Sequence, residues 1–202
     1  MTMKLFCSLS NIVIAIILLS IGTNASATER LVFLIEERDN ITYAVGEPDP
    51  YTGVYESNYP DQKIKQRANF RNGLIDGVFT QFYENGNKEI EINFSNGMPN
   101  GAESQWYESG QLKLQTHYKN NKMYGLRTEW HENGQQKLEV NIVNNLRDGL
   151  LTQWHSNGQK AIENSFVDGK LDGLFTVWND NGDVIKISKY SNGVLLPNNP
   201  SD

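Results

Sequence analysis

The stretch Phe79-Thr80-Gln81-Phe82-Tyr83-Glu84-Asn85-Gly86, continuing through Lys88-Glu89-Ile90-Glu91-Ile92-Asn93-Phe94 to Ser95-Asn96-Gly97-Met98-Pro99-Asn100-Gly101, decides the fold. Its first part is rich in Thr and aromatic residues, which favour strands. Asn85-Gly86 is the strongest short hairpin signal, with both residues suited to positive φ. Beyond it, Ile90, Ile92 and Phe94 alternate with Glu89, Glu91 and Asn93, the period-two pattern of a strand with one buried face. Residues 95–101 read as a longer turn into a following hairpin. The unit is a β-hairpin.

The unit recurs every 24 residues. Gly53, Gly77, Gly101, Gly125, Gly149 and Gly173 form one column, and Gly86, Gly110, Gly134, Gly158 and Gly182 a second. A third holds Gly73, Gly97, Gly169 and Gly193, with Asn121 and Asn145 in the two remaining places. Asparagine tolerates positive φ better than most residues, so the backbone requirement survives. Fifteen of the 17 glycines thus fall on the lattice and are read as structural turn positions. Phe82, Trp106, Trp130, Trp154 and Trp178 form an aromatic column, and Phe70, Phe94, Tyr118, Ile142, Phe166 and Tyr190 another.

The expected fold is all-β: an elongated array of six hairpin repeats (53–76, 77–100, 101–124, 125–148, 149–172 and 173–196) forming a twisted antiparallel meander sheet. The first repeat is degenerate, with Asn58 in the tryptophan place and Gln62 in the turn-glycine place. In the last, Ile185 and Ile187 replace polar residues and Lys186 an aliphatic one, read as a terminal cap rather than a one-residue slip. Residues 197–202 are a tail. Residues 28–52 read as a capping hairpin, with strands at 31–35 and 41–45 around Asp39-Asn40. The tryptophans are expected to join the Ile/Leu/Phe columns on the buried face, with Tyr83, Tyr107, His131, His155 and Asn179 pointing the other way.

Residues 1–27 have the form of a cleaved secretory signal: Lys4, an apolar run over 5–21, and Ala25-Ser26-Ala27 as a small-x-small cleavage site. The expected location is periplasmic or extracellular, with a mature chain starting near Thr28. The only cysteine, Cys7, lies in that signal, so no disulfide framework or thiolate metal site is available. The formal net charge of −6 offers no cationic surplus to replace counterions on nucleic acid. It also argues against direct lipid binding.

The segments Phe70-Arg71-Asn72-Gly73-Leu74-Ile75-Asp76-Gly77 and Phe166-Val167-Asp168-Gly169-Lys170-Leu171-Asp172-Gly173 resemble the core of the MORN repeat. Tyr83-Glu84-Asn85-Gly86 and Trp130-His131-Glu132-Asn133-Gly134 make the chain more similar to the bacterial variant of that repeat. The segment from Ile41-Thr42-Tyr43 through Pro50-Tyr51-Thr52-Gly53 resembles the way such proteins begin. Proteins with the variant repeat are often catalogued as antitoxin-like components of toxin–antitoxin systems. The resemblance therefore implies a toxin as partner, and with an export signal an immunity role against an exported or incoming toxin.

Residues that recur in every repeat serve the repeat. Glu84, Glu108 and Glu132, and the strand column Glu91, Glu139 and Glu163, read as solvated positions rather than acid/base pairs. His131 and His155 share a column, but two strands separate them by about 10 Å, too far for one zinc ion bound at about 2 Å. No nucleophile elbow, phosphate loop or zinc-protease motif occurs, so no enzyme, cofactor or metal site is expected. The expected function is a scaffold for another protein, with repeats 3–5 as the contact patch: Tyr107, Trp130, His131, Trp154 and His155. The alternatives are a cell-envelope polysaccharide module, using the aromatic column to stack sugars, and attachment to a membrane surface.

Overall fold

The computed structural model describes residues 31–197; the predicted signal at 1–27 lies outside them, as do residues 198–202. Three short strands come first: β1 (Leu31–Val32), β2 (Ile35–Arg38) and β3 (Ile41–Ala44). Paired hairpin arms follow: β4 (Gly53–Asn58) with β5 (Ile64–Arg71), β6 (Leu74–Phe82) with β7 (Lys88–Ser95), and β8 (Met98–Trp106) with β9 (Leu112–Lys119). The series continues as β10 (Lys122–Trp130) with β11 (Gln136–Val143), and β12 (Leu146–Trp154) with β13 (Lys160–Val167). It ends with β14 (Lys170–Trp178), β15 (Val184–Ser191) and the two-residue β16 (Val194–Leu195). From β4 to β16 the strands pair antiparallel in chain order, while β1 adds to β4 in parallel. The fold is the all-β meander that the 24-residue lattice predicts.

The two kinds of turn differ from their sequence reading. The connection at 95–101 is a tight turn in which Asn96 and Gly97 both take positive φ (48° and 75°), and β8 begins at Met98. Asn120-Asn121 (50° and 63°) and Asn144-Asn145 (50° and 70°) do the same, as expected of asparagine in the glycine column. At Asn85-Gly86 only the glycine has positive φ, 91°. Asn85 works through its side chain instead: Oδ1 accepts from the Asn87 amide at 2.9 Å, and Nδ2 donates to the Glu108 carbonyl at 2.8 Å.

Gly53, Gly77, Gly101, Gly125, Gly149 and Gly173 are not turn residues. Gly53 opens β4, and the others lie inside β6, β8, β10, β12 and β14, with φ between 77° and 123°. The ladder slips beside each interior glycine, for example between Ala68 and Phe70 opposite Gly77. A strand that passes through positive φ breaks its pairing, and glycine does this at least steric cost. A second slip falls just before the aromatic column, as between Gln105 and Trp106. Repeated slips bend and twist the sheet, which lets the apolar side chains of a single layer bury one another.

Register fixes which face that is. Ile90, Ile92 and Phe94 stand opposite Gln81, Phe79 and Gly77, whereas Glu91 and Asn93 stand opposite Thr80 and Val78. The buried face carries two apolar clusters, one built on Ala68, Phe70 and Phe79, the other on Leu138, Val140, Ile142, Leu151 and Phe166. The tryptophans are half-buried and belong to neither cluster. Trp130 lines the same groove as Leu114 and Tyr118, and Trp178 the same recess as Ile162 and Val177. Lys88 Nζ lies 5.5 Å from the Trp106 ring and Lys160 Nζ 5.8 Å from Trp178. In the last repeat Lys186 stands opposite Val177 and Ile187 opposite Thr176, so no one-residue slip occurs.

β2 and β3 form a separate ribbon closed by Asp39 and Asn40, both at positive φ (52° and 63°). Its first strand starts at Ile35, because Leu31 and Val32 leave for the edge of the main sheet. Ala44 and Tyr51 pack into the cluster with Ala68, Phe70 and Phe79. The Thr42 amide donates to the Gly73 carbonyl at 2.9 Å, and the Gly73 amide to the Tyr51 carbonyl at 2.7 Å. A Cβ at Gly73 would lie 2.3 Å from Ile41 Cγ2 and 2.8 Å from the Thr42 carbonyl oxygen.

Two substitutions test this backbone. Gln62 holds the turn-glycine place at φ 70°, donating its amide to the Tyr59 carbonyl at 3.0 Å. Gln62→Gly relieves left-handed strain and is expected to stabilise the chain by about 1 kcal/mol. Gly73→Ala adds strain to a clash with the ribbon and is expected to cost about 2 kcal/mol or more. Urea unfolding checks both; an unchanged midpoint in either variant contradicts the account.

Candidate functional site

Most polar side chains of the array are committed to holding repeat on repeat. The Tyr83 hydroxyl donates to the Trp106 carbonyl at 2.9 Å, and Tyr107 to the Trp130 carbonyl at 2.8 Å. Nε2 of His131 and of His155 meets the carbonyls of Trp154 and Trp178 at 2.9 and 3.1 Å, so each carries its proton there. Asn133 and Asn157 bridge to the carbonyls of Ser156 and Asp180, both at 2.7 Å. The row of Tyr107, His131 and His155 is therefore a clamp whose polar tips are already engaged. At the opposite strand ends, the Gly97, Asn121, Asn145 and Gly169 amides donate to the carbonyls of Ile75, Pro99, Met123 and Arg147 at 2.8–3.0 Å.

One column departs from the repeat by charge. Two residues beyond the in-strand glycine, the buried face carries Tyr55, Phe79, Leu151 and Phe175, yet repeats three and four carry Glu103 and Arg127 there. Thr116 stands where Ile92 and Val140 stand in the neighbouring repeats, in a column that is polar again at Asn164 and Ser188. These residues fall between the two apolar clusters. Gln105 Nε2 donates to Glu103 Oε1 at 2.6 Å, and the Tyr118 hydroxyl also bonds to Glu103. Arg127 donates to Glu129 Oε1 from Nη2 at 2.6 Å and from Nε at 3.1 Å. Lys137 Nζ lies 4.0 Å from the other Glu129 oxygen. Thr116 is 1% exposed and its hydroxyl has no partner among the described residues.

This cluster floors a groove of about 350 Å³, with Tyr107 and Trp130 among its walls. Of the five residues expected as a contact patch, the structure brings Tyr107 and Trp130 together here. His155 lines a separate recess with Trp178, Val177 and Ile162, where its Nδ1 is 2.9 Å from Asp180 Oδ1. His131 and Trp154 are joined to each other by the clamp and line neither. Glu103, Arg127, Glu129 and Tyr118 escaped the sequence reading because it followed residues that recur. The signal at Glu103 and Arg127 was their failure to recur in an otherwise apolar column. Among the described residues, no three His, Cys, Asp or Glu side chains gather as a metal set.

Residues 75–96 and 99–120, the second and third hairpins, match the family model described as MORN repeat variant. These segments are variant MORN repeats. The hairpins on either side hold the same 24-residue register. A MORN array is a repeat scaffold, and the module is generally non-catalytic. No curated protein matches the chain.

Burial pushes the Tyr118 hydroxyl above the ordinary tyrosine value of 10.0, and the Glu103 charge adds to this while Arg127 opposes it. Tyr59, Tyr83 and Tyr107 are raised too, by burial first and then by nearby carboxylates. The folded array keeps these protons where the unfolded chain loses them. Stability is thus intact below the unfolded value and falls as pH rises past about 10. Tyrosinate absorbance should show a late-ionising group that Tyr118→Phe removes in part. Tyr118→Phe alone should cost about 1–2 kcal/mol at neutral pH, whereas Glu103→Leu with Tyr118→Phe, which removes both partners, should be neutral or stabilising. Urea unfolding separates these outcomes.

Proposed function

We propose that the chain is an exported, non-enzymatic repeat scaffold that binds another protein, in the manner of an immunity partner to a toxin. One observation carries this reading: in the column two residues beyond the in-strand glycine, charged residues replace apolar ones, and they do so in repeats three and four only. Replacing apolar side chains by buried charges costs stability, and folds break their own pattern at functional positions. The groove also mixes charge with the apolar side chains of Leu114 and Met123, as protein-contact surfaces do. The signal-like segment at 1–27 supports export.

A polysaccharide-binding reading draws on Tyr107 and Trp130 at the same groove, since rings of this kind can stack on sugars. The discriminating experiment exposes the intact protein to envelope extract, to purified cell wall and to liposomes. Capture of a defined protein, lost with Arg127→Ala and Lys137→Ala, is the expected result. Sedimentation with wall material, lost with Trp130→Ala, would overturn it. N-terminal sequencing of the secreted form should begin at Thr28; an intact Met1 in the envelope would contradict cleavage.

A further inference from the structure

The charges of the groove are unevenly satisfied. Its cations are Lys113, Arg127 and Lys137, and its carboxylates Glu103 and Glu129. Glu103 is held by neutral donors, the Gln105 amide and the Tyr118 hydroxyl. Glu129 alone is left to face the cations, taking two bonds from Arg127 and standing 4.0 Å from Lys137. Among the described residues, Arg127 Nη1 has only the Met123 sulfur, at 3.9 Å, a weak acceptor. Lys113 Nζ sits 5.5 Å from the Tyr107 ring centre and makes no ion pair there. In a chain of net charge −6, this groove carries a local surplus of positive charge.

We propose that the groove receives an aspartate or glutamate side chain of a partner protein, with a neighbouring apolar side chain of that partner against Leu114, Met123 and Trp130. This rests on the protein-binding reading and names the chemistry of its contact. The ligand is a single carboxylate because Glu103 and Glu129 already stand in the groove and repel a doubly charged phosphate. A planar monoanion matches the free edge of the arginine fork. The apolar wall calls for a flanking side chain that a free anion lacks, and peptide carboxylates come with such neighbours.

The test selects binders of the intact protein from a random heptapeptide display library. Selected peptides should carry Asp or Glu next to a bulky apolar residue. Their affinity should fall at least tenfold with Arg127→Ala and several-fold with Lys137→Ala, whose half-exposed side chain can be removed without disturbing the fold. Changing the peptide Glu to Gln should cost wild type the same factor and cost Arg127→Ala little more, the mark of a direct pair. Acid-free peptides, or binding indifferent to both substitutions, overturn the inference and leave the protein-binding reading standing. Competition by inorganic phosphate or glucuronic acid at lower concentration than by the peptide also overturns it. Selection of no peptide, together with retention on cell wall, sinks both.

Discussion

Everything in this molecule depends on one constraint: each hairpin must meet the carbonyls of the next at a fixed offset. Tyr or His at the start of each of the first five four-residue turns reaches a backbone oxygen 23 residues ahead. At the other strand ends, a turn amide reaches back 22 residues. Each such bond is worth about 1 kcal/mol, but a missing one would leave a carbonyl unsatisfied at every junction. The spacing of 24 is therefore enforced at both edges of the sheet. An insertion of a single residue would unpair two clamps at once, which explains why the lattice runs without a gap from the first hairpin to the last.

That constraint divides the side chains into two populations. Those at turns, clamps and in-strand breaks are fixed by the backbone and cannot vary without loss. Those on the strand faces answer only to their neighbours across the ladder, and here repeats diverge. The leading ribbon covers the buried face at the first end through Ala44 and Tyr51, and Phe166 with Leu171 packs at the far end. Between these clusters the backbone ladder is continuous while the apolar contact is not. A repeat protein is stabilised largely by nearest-neighbour interfaces, so the junction of repeats three and four forgoes apolar burial that its neighbours obtain.

The sequence made the repeat, its period and its antiparallel pairing legible, because positive-φ positions leave glycine and asparagine as a visible trace. Asn121 and Asn145 were read correctly for that reason. How deeply the tryptophans pack was not legible: they stand beside the slip between residues such as Gln105 and Trp106, where regular pairing ends, and remain half-buried. Gly77 and its equivalents were misplaced for a related reason: positive φ marks a break in a strand as readily as a turn, and composition does not tell them apart. Asn85 shows the converse, a residue chosen for its side-chain bonds rather than for its backbone angle.

The candidate site was hidden by the regularity that revealed the fold. Tyr107, His131 and His155 drew attention as a row, yet rows of this kind are what the repeat needs. Glu103 and Arg127 occupy a column whose other members are aromatic or aliphatic, and their cost is physical. A carboxylate 6% exposed must be paid for by donors, and Gln105 and Tyr118 supply them. Arg127 likewise needs Glu129, in a column that holds glutamine at Gln81, Gln105 and Gln153 and never another charge. Three charged departures within two repeats, Glu103, Arg127 and Glu129, exceed what packing requires. Where a periodic sequence supplies Leu or Phe elsewhere in the column of Glu103 and Arg127 and charges here, the charges are the feature to be explained, because burying them costs stability that an apolar pair would not.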